Sequence, residues 1–188
     1  MTEKEKMLQQ MLYNANYDAE LIEERRLAKE LCYDYNALRP SDEEGQQELL
    51  GKLLGKKGKG CCILAPFWCD YGYNIEVGDN FFANHNMVIL DGAKVTFGNN
   101  VVIAPNCGFY TAGHPIDAQQ RKAGIEYAYP ITVGNDVWIG AGAQIMPGVS
   151  IGNNVVIGSG SVVTKDIPDN SVAVGNPCRV IRAIDKCE

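Results

Sequence analysis

From Val133 onward an aliphatic residue stands at every sixth position: Val133, Ile139, Ile145, Ile151, Ile157 and Val163. Four positions after each of the first five come Val137, Ala143, Val149, Val155 and Ser161, so each hexad carries two small or aliphatic positions. Neither a helix of 3.6 residues per turn nor a simple alternating hairpin sheet predicts that register. Gly134, Gly140, Gly152 and Gly158 follow four of the sixth-position residues, and Asn or Asp follows several of these glycines. These residues tolerate sharp bends, and they recur once per hexad. One short flat strand and one turn per hexad is therefore expected. The same phase is visible upstream in Phe97-Gly98-Asn99-Asn100-Val101-Val102 and Ile103-Ala104-Pro105-Asn106-Cys107-Gly108, and more loosely in Val77-Gly78-Asp79-Asn80 and Ile89. Repeats of this kind stack into a parallel β-helix, each coil burying its aliphatic residues against the coils above and below.

Residues 1–58 are patterned differently. Thr2-x-x-Glu5 can form a capping box ahead of Met7, Leu8, Met11 and Leu12. Asn14-Ala15-Asn16-Tyr17 interrupts that helix, Asp18 opens a second with the face Leu21, Ala28, Leu31/Cys32 and Tyr35, and Ser41-x-x-Glu44 opens a third carrying Leu49, Leu50, Leu53 and Leu54. The Gly/Lys stretch 55–60 reads as a linker to a second unit, residues 61–188. Helices at one end and the segment after Ile167-Pro168 at the other can cap the open coils.

Composition narrows the function classes. With 188 residues, 46% hydrophobic and 21% charged, the chain is an ordinary globular one. A net charge of −6 disfavours a general nucleic-acid or anionic-membrane binder. No run approaches the roughly 18 apolar residues of a membrane span. The mixed-charge start Met1-Thr2-Glu3-Lys4-Glu5-Lys6 has no export signal, so a cytoplasmic location is expected. Seven cysteines, Cys32, Cys61, Cys62, Cys69, Cys107, Cys178 and Cys187, include no C-x-x-C and read as reduced, packed thiols. Residues 110–130 leave the repeat and return in register, and an insertion of that kind on a regular scaffold is the first place to look for chemistry.

The hexads resemble, together with Cys69-Asp70-Tyr71-Gly72-Tyr73-Asn74-Ile75, Phe81-Phe82-Ala83-Asn84, Thr111-Ala112-Gly113-His114-Pro115-Ile116-Asp117, Asn135-Asp136-Val137-Trp138-Ile139-Gly140, Val163-Thr164-Lys165-Asp166-Ile167-Pro168 and Gly175-Asn176-Pro177-Cys178-Arg179-Val180-Ile181, the sugar O-acetyltransferases of the hexapeptide-repeat superfamily. The maltose and galactoside acetyltransferases are the nearest in pattern, and Glu24-Arg25-Arg26-Leu27 fits their N-terminal segment. The resemblance implies a mainly β chain: a left-handed parallel β-helix with a small helical segment in front. It also implies a homotrimer with sites shared between subunits, acetyl-coenzyme A as donor, no required metal, and a sugar hydroxyl as acceptor.

An alcohol is a poor nucleophile near neutral pH, so acetyl transfer from a thioester needs a base. The chain has two histidines; His114, in the insertion, matches the family's general base, whereas His85 reads as a coil or rim residue. Asn84 matches a side chain near the reacting centre. A backbone N–H at Ala141 or Gly142 is the candidate for the developing oxyanion, and Glu126 for orienting the imidazole. Asp18, Asp70 and Asp91 are the candidate acceptor carboxylates, with Asp18 equally suited to be a helix N-cap. Gly92 stands where galactoside enzymes carry an Asp, which favours maltose- or glucose-type acceptors. By the resemblance, Ala141, Ser159, Thr164, Lys165, Arg179 and Arg182 line the coenzyme groove. Four of the seven Lys and Arg in residues 61–188 follow Val163, namely Lys165, Arg179, Arg182 and Lys186. Trp138 is expected to pack at the groove or a subunit interface. Cys69 and Cys107 lack a histidine neighbour that would make either a nucleophile, so direct transfer in a ternary complex is expected.

Three other readings are open or excluded on the residues. An acetyltransferase for an antibiotic or lipo-oligosaccharide would use the same histidine and coenzyme site. A hexapeptide-type carbonic anhydrase needs three zinc-binding histidines, which this chain does not supply. A purely structural β-helix predicts neither the histidine-bearing insertion nor the basic residues clustered at the coil end.

Overall fold

The computed structural model describes residues 1–184; Lys186 and Cys187 lie outside the described residues. From Lys56 the chain winds as a parallel β-helix with three faces. The first face stacks Lys56–Lys57, Ile75–Val77, Val95–Phe97, Ile131–Val133 and Ser150–Ile151. The second stacks Cys62–Ile63, Phe82–Ala83, Val102–Ile103, Trp138–Ile139, Val155–Ile157 and Ser171–Val174. The third stacks Phe67–Cys69, Met87–Leu90, Gly108–Tyr110, Gln144–Ile145 and Val162–Val163.

The sixth-position residues of the sequence pattern all point inward, and Val133, Ile139, Ile145, Ile151, Ile157 and Val163 are buried. So are the partners four positions on, including Ser161, whose hydroxyl donates to the Gly158 carbonyl at 2.6 Å and accepts from the Gly175 N–H at 3.0 Å. Full burial of each such aliphatic side chain stabilises the coil by roughly 1.5–3 kcal/mol. Upstream, Phe81, Phe97 and Phe109 fill the axis, with neighbouring ring centroids 4.9 Å apart.

Hydrogen-bond partners between coils reveal the length of each turn. They are 20 residues apart in the first two coils, 36 across the insertion, 18 in the next and 16 in the last. The corner between the first and second faces is uniform: Asn80, Asn100, Asp136, Asn154 and Asn170 all sit at φ of 54–57°. Their side chains form ladders, as in Asn100 Nδ2 donating to Asp136 Oδ1 at 2.8 Å and Asn154 Nδ2 to Asn170 Oδ1 at 2.9 Å. The surplus residues of the long coils fall at the corner between the third face and the next first face. There the inward residues Cys69 and Val77, and again Ile89 and Phe97, are eight positions apart instead of six. The insertion leaves from the same corner one coil later.

Helices α2 (Ala19–Ala37) and α3 (Glu43–Leu53) close the first coil, while Met7 of α1 (Glu3–Leu8) packs in a separate cluster with Tyr13, Leu21 and Tyr71. The Thr2/Glu5 capping box forms. The third cap is one residue later than the sequence pattern suggests: Asp42, not Ser41, accepts from the Gly45 N–H at 3.0 Å. Ala28, Cys32 and Tyr35 of α2 and Leu50 and Leu53 of α3 belong to the same core as the coils. The stretch 55–60 is therefore not a linker. Lys56–Lys57 is the first strand, Gly58 donates its N–H to the Val77 carbonyl at 2.9 Å, and a Cβ on Gly58 would come within 2.2 Å of the Gly78 carbonyl oxygen. At the far end Arg179–Ala183 turns back antiparallel on Ser171–Val174 and covers the last coil. Among the described residues no helix is long and apolar enough to cross a membrane.

Candidate active site

The eight-residue corners need a clamp, because their extra backbone amides lose the regular coil-to-coil ladder. In the second the Thr111 hydroxyl accepts the Ala93 N–H at 2.9 Å, and in the first Asp91 is the clamp. Its carboxylate accepts the N–H groups of Asp70 (3.0 Å), Tyr71 (2.8 Å) and Gly72 (2.7 Å), while its carbonyl accepts from Asn74 Nδ2 at 2.7 Å. The side chain is fully buried. Burial pushes the carboxyl up to about 6, the three N–H bonds and burial acting in opposite directions. This overturns the expectation that Asp91 binds the acceptor: a carboxylate enclosed by backbone amides has no face left for a ligand.

What the clamp presents is Asp70 and Tyr71. They line a cavity of about 180 Å³ with Tyr13, Asn16, Arg25, Lys29 and Glu126. Arg25 is fixed by donating to the Tyr71 hydroxyl and to the Ala15 carbonyl, both at 2.6 Å. Burial raises Asp70 while Arg25 and Lys29 pull it back. Burial also raises Tyr13 and Tyr71, so both hydroxyls stay protonated and able to donate. Two carboxylates, two cations, two phenols and an amide around so small a space suit a ligand that carries many hydroxyls.

The inserted loop forms the cavity's other wall. Ile125–Ala128 pairs antiparallel with Ala112–Gly113 on one side and with Tyr13–Asn14 on the other, Tyr13 opposite Glu126. The short helix α4 (Ala118–Lys122), capped by Asp117, bridges the two loop strands. Just beyond Gly113, the His114 ring places Nδ1 3.3 Å from the Ile125 carbonyl oxygen. A carbonyl can only accept, so this contact keeps the proton on Nδ1 and leaves the lone pair on Nε2. Nε2 faces Glu126 Oε1 at 3.8 Å. Glu126 is itself held by the Tyr13 hydroxyl (3.3 Å) and Asn16 Nδ2 (3.4 Å). The orienting group on Nδ1 is thus the Ile125 carbonyl, and Glu126 lies on the Nε2 side.

The remaining sequence candidates are spread over other places. Asp18 is the N-cap of α2, its Oδ1 accepting from the Leu21 N–H at 3.0 Å, and it is not among the residues lining the cavity. Asn84, Ala141 and Ser159 stack along the corner between the second and third faces. Asn84 Oδ1 accepts the His85 N–H at 2.8 Å, and the His85 ring binds the Ala65 carbonyl at the rim. The Gly142 N–H donates to the Pro105 carbonyl at 2.9 Å, so it is not free to hold an oxyanion; the Ala141 N–H has no acceptor among the described residues. Thr164 and Lys165 are exposed at the third-face corner of the last full coil, and Arg179 and Arg182 are exposed on the returning strand. One chain therefore brings together Asp70, Glu126 and His114, and keeps Asn84 at a different corner.

Tyr13, Asn16, Arg25, Lys29 and Tyr71 are the lining residues that the sequence reading did not assign. Arg25 and Tyr71 lie inside motifs that carried the family resemblance; Tyr13 is placed only by its pairing with a strand more than a hundred residues away. A Cβ on Gly92 would stand 2.9 Å from the Tyr13 hydroxyl, so that phenol fills the space a larger residue at 92 would need. Among the described residues, no group of three His, Cys, Asp or Glu side chains is placed to hold a metal ion.

A hexad coil of this kind is shared by a known class of transferases. Residues 6–58 match the maltose acetyltransferase hexapeptide capping motif, and residues 130–165 match the bacterial transferase hexapeptide, six repeats. A Saccharomyces cerevisiae protein named "Putative acetyltransferase YJL218W" is 56% identical over 92% of this chain and 88% of its own. The crystal structure of a maltose O-acetyltransferase from Clostridium difficile 630 superposes with a TM-score of 0.97 at 53% identity, covering 99% of both chains. A galactoside acetyltransferase in complex with coenzyme A superposes with a TM-score of 0.94 at 44% identity, covering 98% of this chain and 92% of that one. The chain belongs to the hexapeptide-repeat acetyltransferases of the maltose and galactoside type.

Proposed function

We propose that this acetyltransferase moves an acetyl group from acetyl-coenzyme A to a hydroxyl of a small sugar, of glucose or maltose type, by direct transfer in the cytoplasm. The observation that carries the reading is the cavity itself: hydroxyl-binding groups on the Asp91-clamped corner, walled on the other side by Glu126, which stands 3.8 Å from the His114 Nε2. In this scheme Nε2 takes the proton of the acceptor hydroxyl as its oxygen bonds to the thioester carbonyl carbon. The tetrahedral oxyanion is received by a backbone amide, the Ala141 N–H being the unoccupied one. Collapse breaks the carbon–sulfur bond, and the imidazolium returns its proton to the departing thiolate. Glu126 stabilises that imidazolium across 3.8 Å and accepts from a neighbouring sugar hydroxyl.

Asn84 and the coenzyme candidates Ala141 and Ser159 stand one corner away from His114, so a site using all of them is assembled from two copies of the chain. The outward rows support such an assembly. The second face turns exposed Val102 and Trp138 and half-buried Phe82 and Val156 outward, whereas the first face turns half-buried Glu76 and Thr96 and exposed Thr132 and Ser150 outward. An apolar row of that length on one face fits a homotrimer. Thr164, Lys165, Arg179 and Arg182 are then the candidates for the coenzyme's phosphate and adenine end. Tyr13 filling the space beside Gly92 favours glucose or maltose over galactosides as acceptor.

The test is coenzyme A release from acetyl-coenzyme A with glucose, maltose, galactosides and antibiotic alcohols, on wild type and His114→Ala. The expected result is sugar-dependent release that falls by about a hundredfold or more in the variant, the scale of a lost general base. Full activity in His114→Ala overturns the catalytic assignment, and release stimulated only by an antibiotic alcohol overturns the sugar.

A further inference from the structure

Helix α2 is locked onto the third face by one reciprocal contact: Asn36 Nδ2 donates to the Phe67 carbonyl at 2.9 Å, and Asn36 Oδ1 accepts the Phe67 N–H at 2.8 Å. One helical turn earlier, and two residues further along the strand, the sulfurs of Cys32 and Cys69 touch at 3.7 Å, both buried. The double amide bond prevents the helix from sliding or rolling, so the two thiols are held face to face. A disulfide needs an S–S distance of about 2.05 Å, so the sulfurs have less than about 2 Å to close. Cys69 also borders a second cavity of about 400 Å³ with Lys29, Trp68, Asp70 and Leu90. Acetyl transfer as derived above uses neither thiol.

We propose that Cys32 and Cys69 are an oxidation site: a peroxide converts this buried dithiol into a disulfide that alters the acceptor cavity. The Cys32 sulfur takes one oxygen of hydrogen peroxide as a sulfenic acid, and the first water leaves. The Cys69 sulfur then attacks the Cys32 sulfur, the S–O bond breaks, and the second water leaves. Two thiols have lost two protons and two electrons, and one peroxide has become two waters. The contact with Cys69 lowers the Cys32 thiol, which suits it to the attack on peroxide, while the same contact and burial raise the Cys69 thiol.

The consequence for function rests on the acceptor-site reading above. Lys29 lies three residues before Cys32 on α2, and Asp70 follows Cys69; both line the polar cavity and the second one. Drawing the sulfurs together narrows the space between these two side chains. The donor residues at the other corner are untouched, so acceptor binding weakens while donor binding stays.

The full-length purified protein is treated with hydrogen peroxide, denatured, alkylated and mapped by mass spectrometry, with and without prior reduction. The expected product is a linked pair of peptides containing Cys32 and Cys69, two hydrogens lighter than their reduced sum, formed in wild type and absent in Cys32→Ala. The KM for the acceptor then rises several-fold with the KM for acetyl-coenzyme A unchanged, and dithiothreitol reverses it. Both thiols remaining alkylatable after peroxide, or Cys32 going to the sulfinic acid without bridging, overturns the oxidation site. A bridged protein with unchanged acceptor KM overturns the coupling to the cavity. Because the bridge is read by mass, its failure is separable from failure of the sugar assignment, and a Cys32→Ala chain that does not fold leaves the wild-type map decisive.

Discussion

Between Lys56 and Phe109 each coil takes 20 residues and closes around phenylalanines, with Phe81, Phe97 and Phe109 in edge and tilted contact. Between Ile131 and Val163 each takes 18 and closes around Ile, Val and Ala. Both halves share the same three faces and the same Asn ladder, so the two extra residues per upstream coil are not needed to make a β-helix. They are all placed at one corner, and in the first coil Asp91 holds them and presents Asp70 and Tyr71 to the cavity. The regular half is a scaffold, and the departures from its period, two residues at a time and then a whole loop, build the site. A wider coil has a wider axis, and aromatic rings fill it where aliphatic side chains would leave voids.

The largest effect that separates the halves is in the regular one. Ile145 is fully buried and paired in register between Phe109 and Val163. Ile145→Ala is expected to destabilise the chain by about 2–5 kcal/mol through lost burial and a residual cavity. Urea denaturation measures it, and the acceptor KM of the folded variant stays at the wild-type value, because the scaffold half carries no acceptor contact. A shifted KM would erase the division between the two halves.

Asp91→Ala is the matching test upstream. It leaves three backbone N–H groups of the wide corner without an acceptor, for about 3 kcal/mol or more. Here stability and acceptor binding fall together, since Asp70 and Tyr71 lose the clamp that presents them. Denaturation midpoints and acceptor KM on the same preparation show whether the two losses are linked. A variant that is destabilised but binds acceptor normally would mean that the corner holds its shape without Asp91.

The hexads are legible in the sequence because every downstream coil repeats the same requirement: an inward aliphatic, a bend, another inward residue. The upstream coils blur it, since two extra residues per turn shift the phase after each third face, and Val77 and Ile89 then look only loosely periodic. Asp91 is misread for a related reason. A carboxylate near a wide corner looks like a ligand group until its three amide partners are seen to enclose it. His114 is legible from its loop and motif, but the Ile125 carbonyl that fixes its tautomer is a contact within the folded loop. Tyr13 enters the site through strand pairing with Glu126, which no local pattern announces. The Gly142 amide is lost as an oxyanion donor to an equally nonlocal partner, the Pro105 carbonyl.

The clamp also gives the upstream half a pH signature of smaller size. Asp91 has its folded value raised to about 6 by burial. Between roughly pH 4 and 6 the folded chain therefore holds a proton at this site that the unfolded chain has released. Stability from this group grows as pH falls through 6 and levels off below about 4. Relative to Asp91→Asn, which does not titrate, the wild type is expected to gain on the order of 1 kcal/mol per pH unit across that window. Urea midpoints of both proteins at pH 7 and pH 5 measure the difference. A wild type that loses ground on acidification would show that the three N–H bonds outweigh burial and hold the carboxylate ionised.

The smallest expected effect lies in what the two halves share. Asn154 sits at φ 54° and donates to Asn170 at 2.9 Å, so it carries both a left-handed backbone and one rung of the ladder. Asn154→Gly removes the rung but keeps a residue at ease with that φ. Asn154→Ala removes the rung and adds a Cβ penalty of roughly 1 kcal/mol. The glycine variant should lose about 0.5–1 kcal/mol, the net worth of an exposed hydrogen bond, and the alanine variant about 1 kcal/mol more. Denaturation of the two side by side separates backbone conformation from side-chain bonding. If glycine and alanine cost the same, the ladder alone selects asparagine at these corners; if glycine costs nothing, the recurring Asn and Asp are there for their tolerance of positive φ. The same pair at Asn100, in the wide half, is expected to cost more in both variants, because Asn100 accepts from Asn80 at 3.0 Å and donates to Asp136 at 2.8 Å, while the extra cost of alanine over glycine stays the same.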